Sequence, residues 1–224
     1  KQYFETLINK KKDLVFGEIT PAYSMLDYRG FQYILDIYPD AKFIFLLRNP
    51  ADRYWSHLRF YVKQSNKKNI NININWTYNN FQKNLYNQRH VLRTDYTRTL
   101  KELEKVVPAS QILVIFYENL FFGNGEQETK KITDFLGVKY ISPKLKTIVN
   151  KSPEAEMDLD LRVQAIKRFQ HVYFGIYRKF MSDFPVSWWN DIRLLNKQNS
   201  DSLLLNKQNL EKNRSKLLDL QKAL

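Results

Sequence analysis

KFIFLLRNPADRYWSH, residues 42–57, is the stretch on which the fold turns. Lys42–Leu47 is a continuous apolar run of strand length, and parallel strands buried on both faces read this way. Arg48-Asn49-Pro50 then opens a helix. Asn49 is a capping residue type, and Pro50 suits a first helical position, where no N–H is needed. The helix continues through ADRYWSHLRFYVKQ, with Tyr54, Leu58 and either Tyr61 or Val62 on one stripe. A buried strand feeding straight into an amphipathic helix is half of a βαβ unit.

Working upstream, Asp13–Gly17 (DLVFG) reads as a second short buried strand ended by glycine. Glu18-Ile19-Thr20-Pro21 leaves it as a loop, because Pro21 holds Thr20 extended. Phe31–Tyr38 has apolar residues at 31, 34, 35 and 38, the spacing of an amphipathic helix, which Pro39-Asp40 ends. Downstream, residues 66–87 are asparagine-rich, and the alternation Ile70, Ile72, Ile74 reads as a surface loop or a short exposed hairpin. Leu92–Val107 reads as a helix ended by Pro108, and Gln111–Tyr117 as a third buried strand. Glu126–Leu136 is a helix stopped by Gly137, and Asp158–Phe184 a long one interrupted at Gly175.

This alternation predicts an α/β domain over residues 1–190 with a mainly parallel sheet flanked by helices. Residues 191–224 form an extension in which LLNKQN occurs at 194–199 and 204–209, and leucines recur at 203, 210, 217 and 224. One amphipathic helix packed on the domain is the expectation; a dimerising helix and disorder are the alternatives. In open α/β sheets the ligand sits beyond the carboxyl ends of the strands. Those ends are Gly17-Glu18, Leu47-Arg48 and Phe116-Tyr117-Glu118.

Composition bounds the function. The 224 residues include 36 Lys and Arg against 23 Asp and Glu, a net charge of +13. Such a chain favours anionic partners: nucleic acid, anionic lipid, or a phosphorylated or sulfated small molecule. The absence of cysteine excludes disulfides, zinc–thiolate sites, iron–sulfur clusters and a cysteine nucleophile. No uninterrupted apolar run approaches the ~18 residues of a membrane span, and KQYFETLINKKKDL lacks the apolar core of a signal peptide. Both favour a cytoplasmic protein.

Arg48 is a permanent cation with a forked set of donors, set beside a helix N-terminus with free backbone N–H groups. Ser56, about two turns on, would share an oxyanion with it if its hydroxyl faced the strand tip. The plain alternative is that Arg48 pairs with a local carboxylate and Ser56 faces water. Glu18, at a strand end, reads plainly as one half of an ion pair or as a helix-capping carboxylate. His57 directly follows Ser56 and so points about 100° away; it, His90 and His171 read as structural. Tyr23, Trp55, Trp76 and Tyr78 are either cleft walls or core.

Leu46–His57 (LLRNPADRYWSH) resembles the sulfotransferases that use 3′-phosphoadenosine 5′-phosphosulfate (PAPS), in which a strand ends in Arg-Asp/Asn-Pro and a helix carries Arg and Ser at this spacing. Three further segments follow in the family's order. GEITPAYS (Gly17–Ser24) is similar to the strand-end segment of glycan sulfotransferases, QILVIFYENL (Gln111–Leu120) to a Tyr-Glu-Asp-Leu strand, and Val149-Asn150-Lys151-Ser152 to a segment near the donor phosphate. The resemblance implies a P-loop NTPase-like sheet, Arg48 and Ser56 on the 3′-phosphate of PAPS, Tyr117 beside the adenine, and Lys151 near the phosphate. It also implies Glu18 as the base that deprotonates an acceptor hydroxyl, and a mainly structural Arg53. No metal is implied. The acceptor is expected to be a carbohydrate or another small metabolite, with no nucleic-acid partner. The family's glycine-containing loop for the 5′-phosphosulfate has no counterpart among the six glycines, so the chain is expected to start after it. A nucleotide-binding remnant without activity and a basic nucleic-acid-binding protein are the competing readings.

Overall fold

The computed structural model describes residues 15–68, 70, 72–145 and 152–197. Its frame is mostly helical around a small sheet. Among the described residues the sheet has two strands, β1 (Phe43–Leu47) and β2 (Ile112–Phe116), paired parallel with Phe43 opposite Ile112 and Leu47 opposite Phe116. Both strands fall where the apolar runs predicted them. β1 is covered on one face only, since Leu47 is buried while Ile44 and Leu46 on the opposite face are 40% and 44% exposed. The expected strand at 13–17 does not form over its described part. Val15–Gly17 is exposed and takes no regular secondary structure, with Phe16 set edge-on to Tyr38, and Asp13 and Leu14 lie outside the described residues. A run this short holds strand geometry only when a neighbouring strand takes its N–H and C=O groups.

Helix α1 (Tyr28–Ile37) buries Phe31 and Leu35, and the Asp27 side chain caps it by accepting from Gly30 N–H. α2 (Pro50–Lys67) starts where predicted, with the Asn49 side chain accepting from the N–H groups of Ala51 and Asp52. Its buried stripe is Tyr54, Leu58 and Val62, with Trp55 beside it, while Tyr61 faces outward. The asparagine-rich stretch is not a hairpin in its described part. It folds as α3 (Asn75–Asn79) and α4 (Phe81–Leu85) because Phe81 and Leu85, one turn apart, both enter the core. Next come α5 (Gln88–Thr94) and α6 (Tyr96–Glu104), where one helix was expected. Asp95 divides them by capping α6 through the N–H of Arg98.

After β2, α7 (Tyr117–Phe122) and α8 (Gly125–Leu136) follow, the latter closed by Gly137 in the left-handed region at φ 75°. α9 (Leu159–Lys179) runs unbroken through Gly175, where the sequence suggested an interruption. A Cβ on Gly175 would lie 2.3 Å from the Thr97 side chain, so this glycine admits α6 at close range. A final helix, α10, covers residues 186–197 and contributes Trp188, Ile192 and Leu195 to the main core. The repeated leucines at 203, 210, 217 and 224 lie outside the described residues.

The core is aromatic and central. α2 and α9 pack together, and Tyr54, Phe81, Phe169, Tyr173, Phe184 and Trp188 interleave with Leu47 and Phe116 at the strand ends. Full burial of each such ring contributes about 1.5–3 kcal/mol. The edge-on ring pairs Tyr173–Trp188 and Phe116–Trp188, at 5.6 and 5.5 Å, add to it. Among the described residues no helix is long and apolar enough to cross a membrane.

Candidate functional site

The parallel register sets the site. Because Leu47 pairs with Phe116, the next residues, Arg48 and Tyr117, leave the sheet side by side. The Arg48 guanidinium carbon stands 4.8 Å from the Tyr117 ring centroid, a cation–π contact. Tyr96 donates its hydroxyl to the Arg48 carbonyl at 2.8 Å and fixes the backbone of the tip.

Two local carboxylates are candidates to neutralise Arg48, and both are taken. Asp52 accepts from Arg162 Nη1 at 2.8 Å. Glu118 accepts from the Asn49 N–H at 2.8 Å and from Trp188 Nε1 at 3.0 Å, and its burial, the largest influence, raises its pKa. Arg48 forms no ion pair among the described residues. A half-buried cation left unpaired at a strand tip is set to meet an external anion.

What locks the tip is a buried polar cluster that sequence reasoning missed. The Asn49 amide donates to Asp191 Oδ2 at 2.8 Å, Tyr173 donates to the same oxygen at 2.8 Å, and Arg162 Nε donates to Asp191 Oδ1 at 2.7 Å. Burial opposes the charge on Arg162, but Asp52 and Asp191 outweigh it and raise its pKa. Burial also raises the pKa of the Tyr173 hydroxyl. Asn49 was readable as a cap; its partner 142 positions away carried no local signal.

Ser56 is half-buried, and its hydroxyl makes no hydrogen bond to any described residue. It lies one turn from Asp52 and one turn from Arg59 on the same stripe of α2. Arg59 donates to the Pro153 carbonyl at 3.2 Å, and its pKa is lowered first by burial and then by the charge of Arg48. Two further bonds, Trp55 Nε1 to the Ala155 carbonyl at 2.9 Å and the Tyr78 hydroxyl to the Glu156 carbonyl at 2.8 Å, lay residues 153–156 along α2. Arg59 was read from the sequence only as one basic residue of a stretch suited to nucleic acid, although its spacing of three from Ser56 places the two together. Lys151 lies outside the described residues.

Glu18 is exposed and accepts a hydrogen bond from the Tyr23 hydroxyl, whose pKa that contact raises. No hydrogen bond or ion pair joins Glu18 to Arg48, Ser56 or Tyr117 among the described residues. The turn that follows Glu18, Pro21–Met25, packs on α5 and is tied to α6 by Thr99 Oγ1 donating to the Ser24 carbonyl at 2.7 Å. Of the aromatic residues, Trp55 is buried against Tyr78 and Phe81 as core, Trp76 stacks on Tyr61, and Tyr23 remains exposed. His171 Nε2 sits 3.5 Å from Asp95 Oδ2, and His57 and His90 meet ring to ring at 4.7 Å.

The sequence matches no curated protein. The crystal structure of a sulfotransferase from Alicyclobacillus acidocaldarius matches with a TM-score of 0.62 at 21% identity, covering 84% of this chain and 72% of that one. At that identity the likeness is one of fold. A sequence profile described as "Sulfotransferase family" matches residues 2–142, which contain both strands, Arg48, Ser56 and Tyr117. With that profile spanning more than half of its length, the chain belongs to the sulfotransferase family, whose members are PAPS-dependent transferases.

Proposed function

We propose that this protein moves a sulfuryl group from PAPS to the hydroxyl of a carbohydrate or other small metabolite, with Arg48 and Ser56 holding the donor's 3′-phosphate. The observation that carries the reading is the unpaired Arg48: both neighbouring carboxylates are committed elsewhere, while its side chain is braced on Tyr117. A guanidinium and a free hydroxyl suit a tetrahedral dianion, and the Tyr117 ring beside them suits a purine face. Arg59, one turn beyond Ser56, adds a second cation to that side of α2. In the same reading the two strands belong to a P-loop NTPase-like parallel sheet, and Lys151 completes the phosphate contacts.

Bound PAPS supplies an activated sulfuryl group; the new bond joins acceptor oxygen to sulfur as the bond from sulfur to the 5′-phosphate oxygen breaks. Charge spreads over peripheral oxygens, as in phosphoryl transfer, so the chain's part is positioning and cationic stabilisation. Glu18 takes the acceptor's proton, and Tyr23, hydrogen-bonded to it, orients the carboxylate.

The test is calorimetric titration with adenosine 3′,5′-bisphosphate and, separately, adenosine 5′-monophosphate. The bisphosphate should bind more tightly, and Arg48→Ala should erase the difference at a cost of about 1.5–3 kcal/mol. Equal affinity for the two nucleotides in the unaltered protein overturns the assignment. Glu18→Gln should abolish sulfuryl transfer while bisphosphate binding stays intact.

A further inference from the structure

Behind the donor face of α2 two arginines and two histidines gather with no counter-charge among the described residues. Arg53 and His57 stand one turn apart on α2, and His90 and Arg93 nearly one turn apart on α5. The two helices bring His57 and His90 ring to ring at 4.7 Å, and Arg53 Nη2 reaches the His90 carbonyl at 3.4 Å. All four residues are half-buried. None forms an ion pair among the described residues. The Arg93 guanidinium makes no hydrogen bond to any described residue, and the Nε atoms of Arg53 and Arg93 and the Nδ1 of His90 are buried without a partner. Both imidazoles bear the mark of this setting. Burial, followed by the charges of Arg53 and its neighbours, pushes His57 down to about 3 and His90 to about 4.

Such an arrangement is costly for a protein to keep empty-handed. Buried donors without acceptors are destabilising, and an incoming oxyanion supplies the missing acceptor. The position fits a purpose. Arg53 stands on the first turn of α2, the helix that also carries Ser56. The turn that follows Glu18 packs against α5. The group thus sits on two packed helices, one carrying Ser56 and the other in contact with the turn that follows the residue assigned as base.

We infer that Arg53, His57, His90 and Arg93 form an anion site for an acidic group of the acceptor, a carboxylate or a sulfate ester, so that the acceptor is itself anionic. This rests on the transferase reading above. Arg53 and Arg93 contribute forked donors, and the two imidazoles contribute N–H groups and become protonated as the anion settles. Arg53, read from the sequence as structural, then has a ligand-facing role as well.

The experiment is an NMR titration of the imidazole resonances with inorganic sulfate, in the whole protein near neutral pH. Sulfate should shift the His57 and His90 signals saturably and raise their pKa values. The effect should persist with the protein saturated in adenosine 3′,5′-bisphosphate and in Arg48→Ala, and weaken about tenfold or more in Arg93→Gln. No saturable shift, or a shift unchanged in Arg93→Gln, overturns the site. Loss of the shift when the bisphosphate is bound assigns these cations to the donor and overturns the acceptor role. Bisphosphate affinity, read separately in Arg48→Ala, reports on the donor pocket alone, so the two readings fail independently.

Discussion

Replacing Asp191 by alanine should cost about 3 kcal/mol of folding stability, because removing one member of a buried ion pair leaves the other charge uncompensated. The carboxylate is 4% exposed and accepts from Arg162 Nε and Nη2, the Asn49 amide and the Tyr173 hydroxyl at 2.7, 3.0, 2.8 and 2.8 Å. Removing it strands the Asn49 amide and takes one partner each from Arg162 and Tyr173, which keep Asp52 and Asn49 Oδ1. The general range for such a loss is ~3–5 kcal/mol. The lower end applies here, since Arg162 is 26% exposed and keeps its bond to Asp52. For a chain of this size 1 kcal/mol moves the melting temperature by about 2–4 °C, so the midpoint should fall by roughly 6–12 °C. Thermal and urea unfolding followed by tryptophan fluorescence reads this directly, because Trp188 is fully buried beside the cluster. Asp52→Ala is the internal comparison. Its carboxylate is 35% exposed and holds a single bond to Arg162, so its loss should cost no more than about 1 kcal/mol. The double variant Arg162→Ala/Asp191→Ala should be less destabilised than the sum of the single ones. An Asp191→Ala protein within about 1 kcal/mol of the unaltered one would refute the argument that this cluster holds the strand tip in place.

Two further outcomes follow from the packing and from the imidazoles. Gly175→Ala should destabilise by about 1–3 kcal/mol despite alanine's better helix propensity, because its Cβ would overlap the Thr97 methyl at 2.3 Å; Thr97→Ala in the same chain should restore stability, and an unaffected single variant would show that α6 and α9 are not in close contact. His57 and His90, held at about 3 and about 4, bind fewer protons folded than unfolded below the ordinary imidazole value of about 6.5. Their contribution is therefore complete above that value and is lost as the pH falls toward 4. Chemical denaturation at pH 7 and pH 5 should show a smaller loss in His57→Gln/His90→Gln than in the unaltered protein; equal losses would mean that the imidazoles are not buried among cations.

The parts of this fold that could be read in advance are those set by local chemistry. Phe43–Leu47 and Ile112–Phe116 are strands because nothing in either run favours water, and Asn49-Pro50 starts a helix by capping and by a preset φ. Arg48 stood out for the same reason, as a charge placed at the end of an apolar run. The failures share a cause as well. Asp95 was read as one residue of a continuing helix, whereas its side chain competes for the backbone and starts a new one. The asparagines around Phe81 and Leu85 drew attention away from an i, i+4 apolar pair that the core claims. Val15–Gly17 looked like a strand by composition but joins neither β1 nor β2, the two strands among the described residues. The cations that gather at His57 and His90 come from two helices whose approach depends on tertiary packing alone.

The bond between Asn49 and Asp191 has a temporal side. Synthesis proceeds from the N-terminus, and domains acquire structure as the chain emerges. The strand carrying Arg48 leaves the ribosome 142 residues before the carboxylate that secures its tip. Until α10 docks, Arg162 lacks its buried partner and the Asn49 amide lacks its acceptor. Under the assignment proposed for Arg48, the nascent protein holds an unlatched phosphate grip until α10 docks.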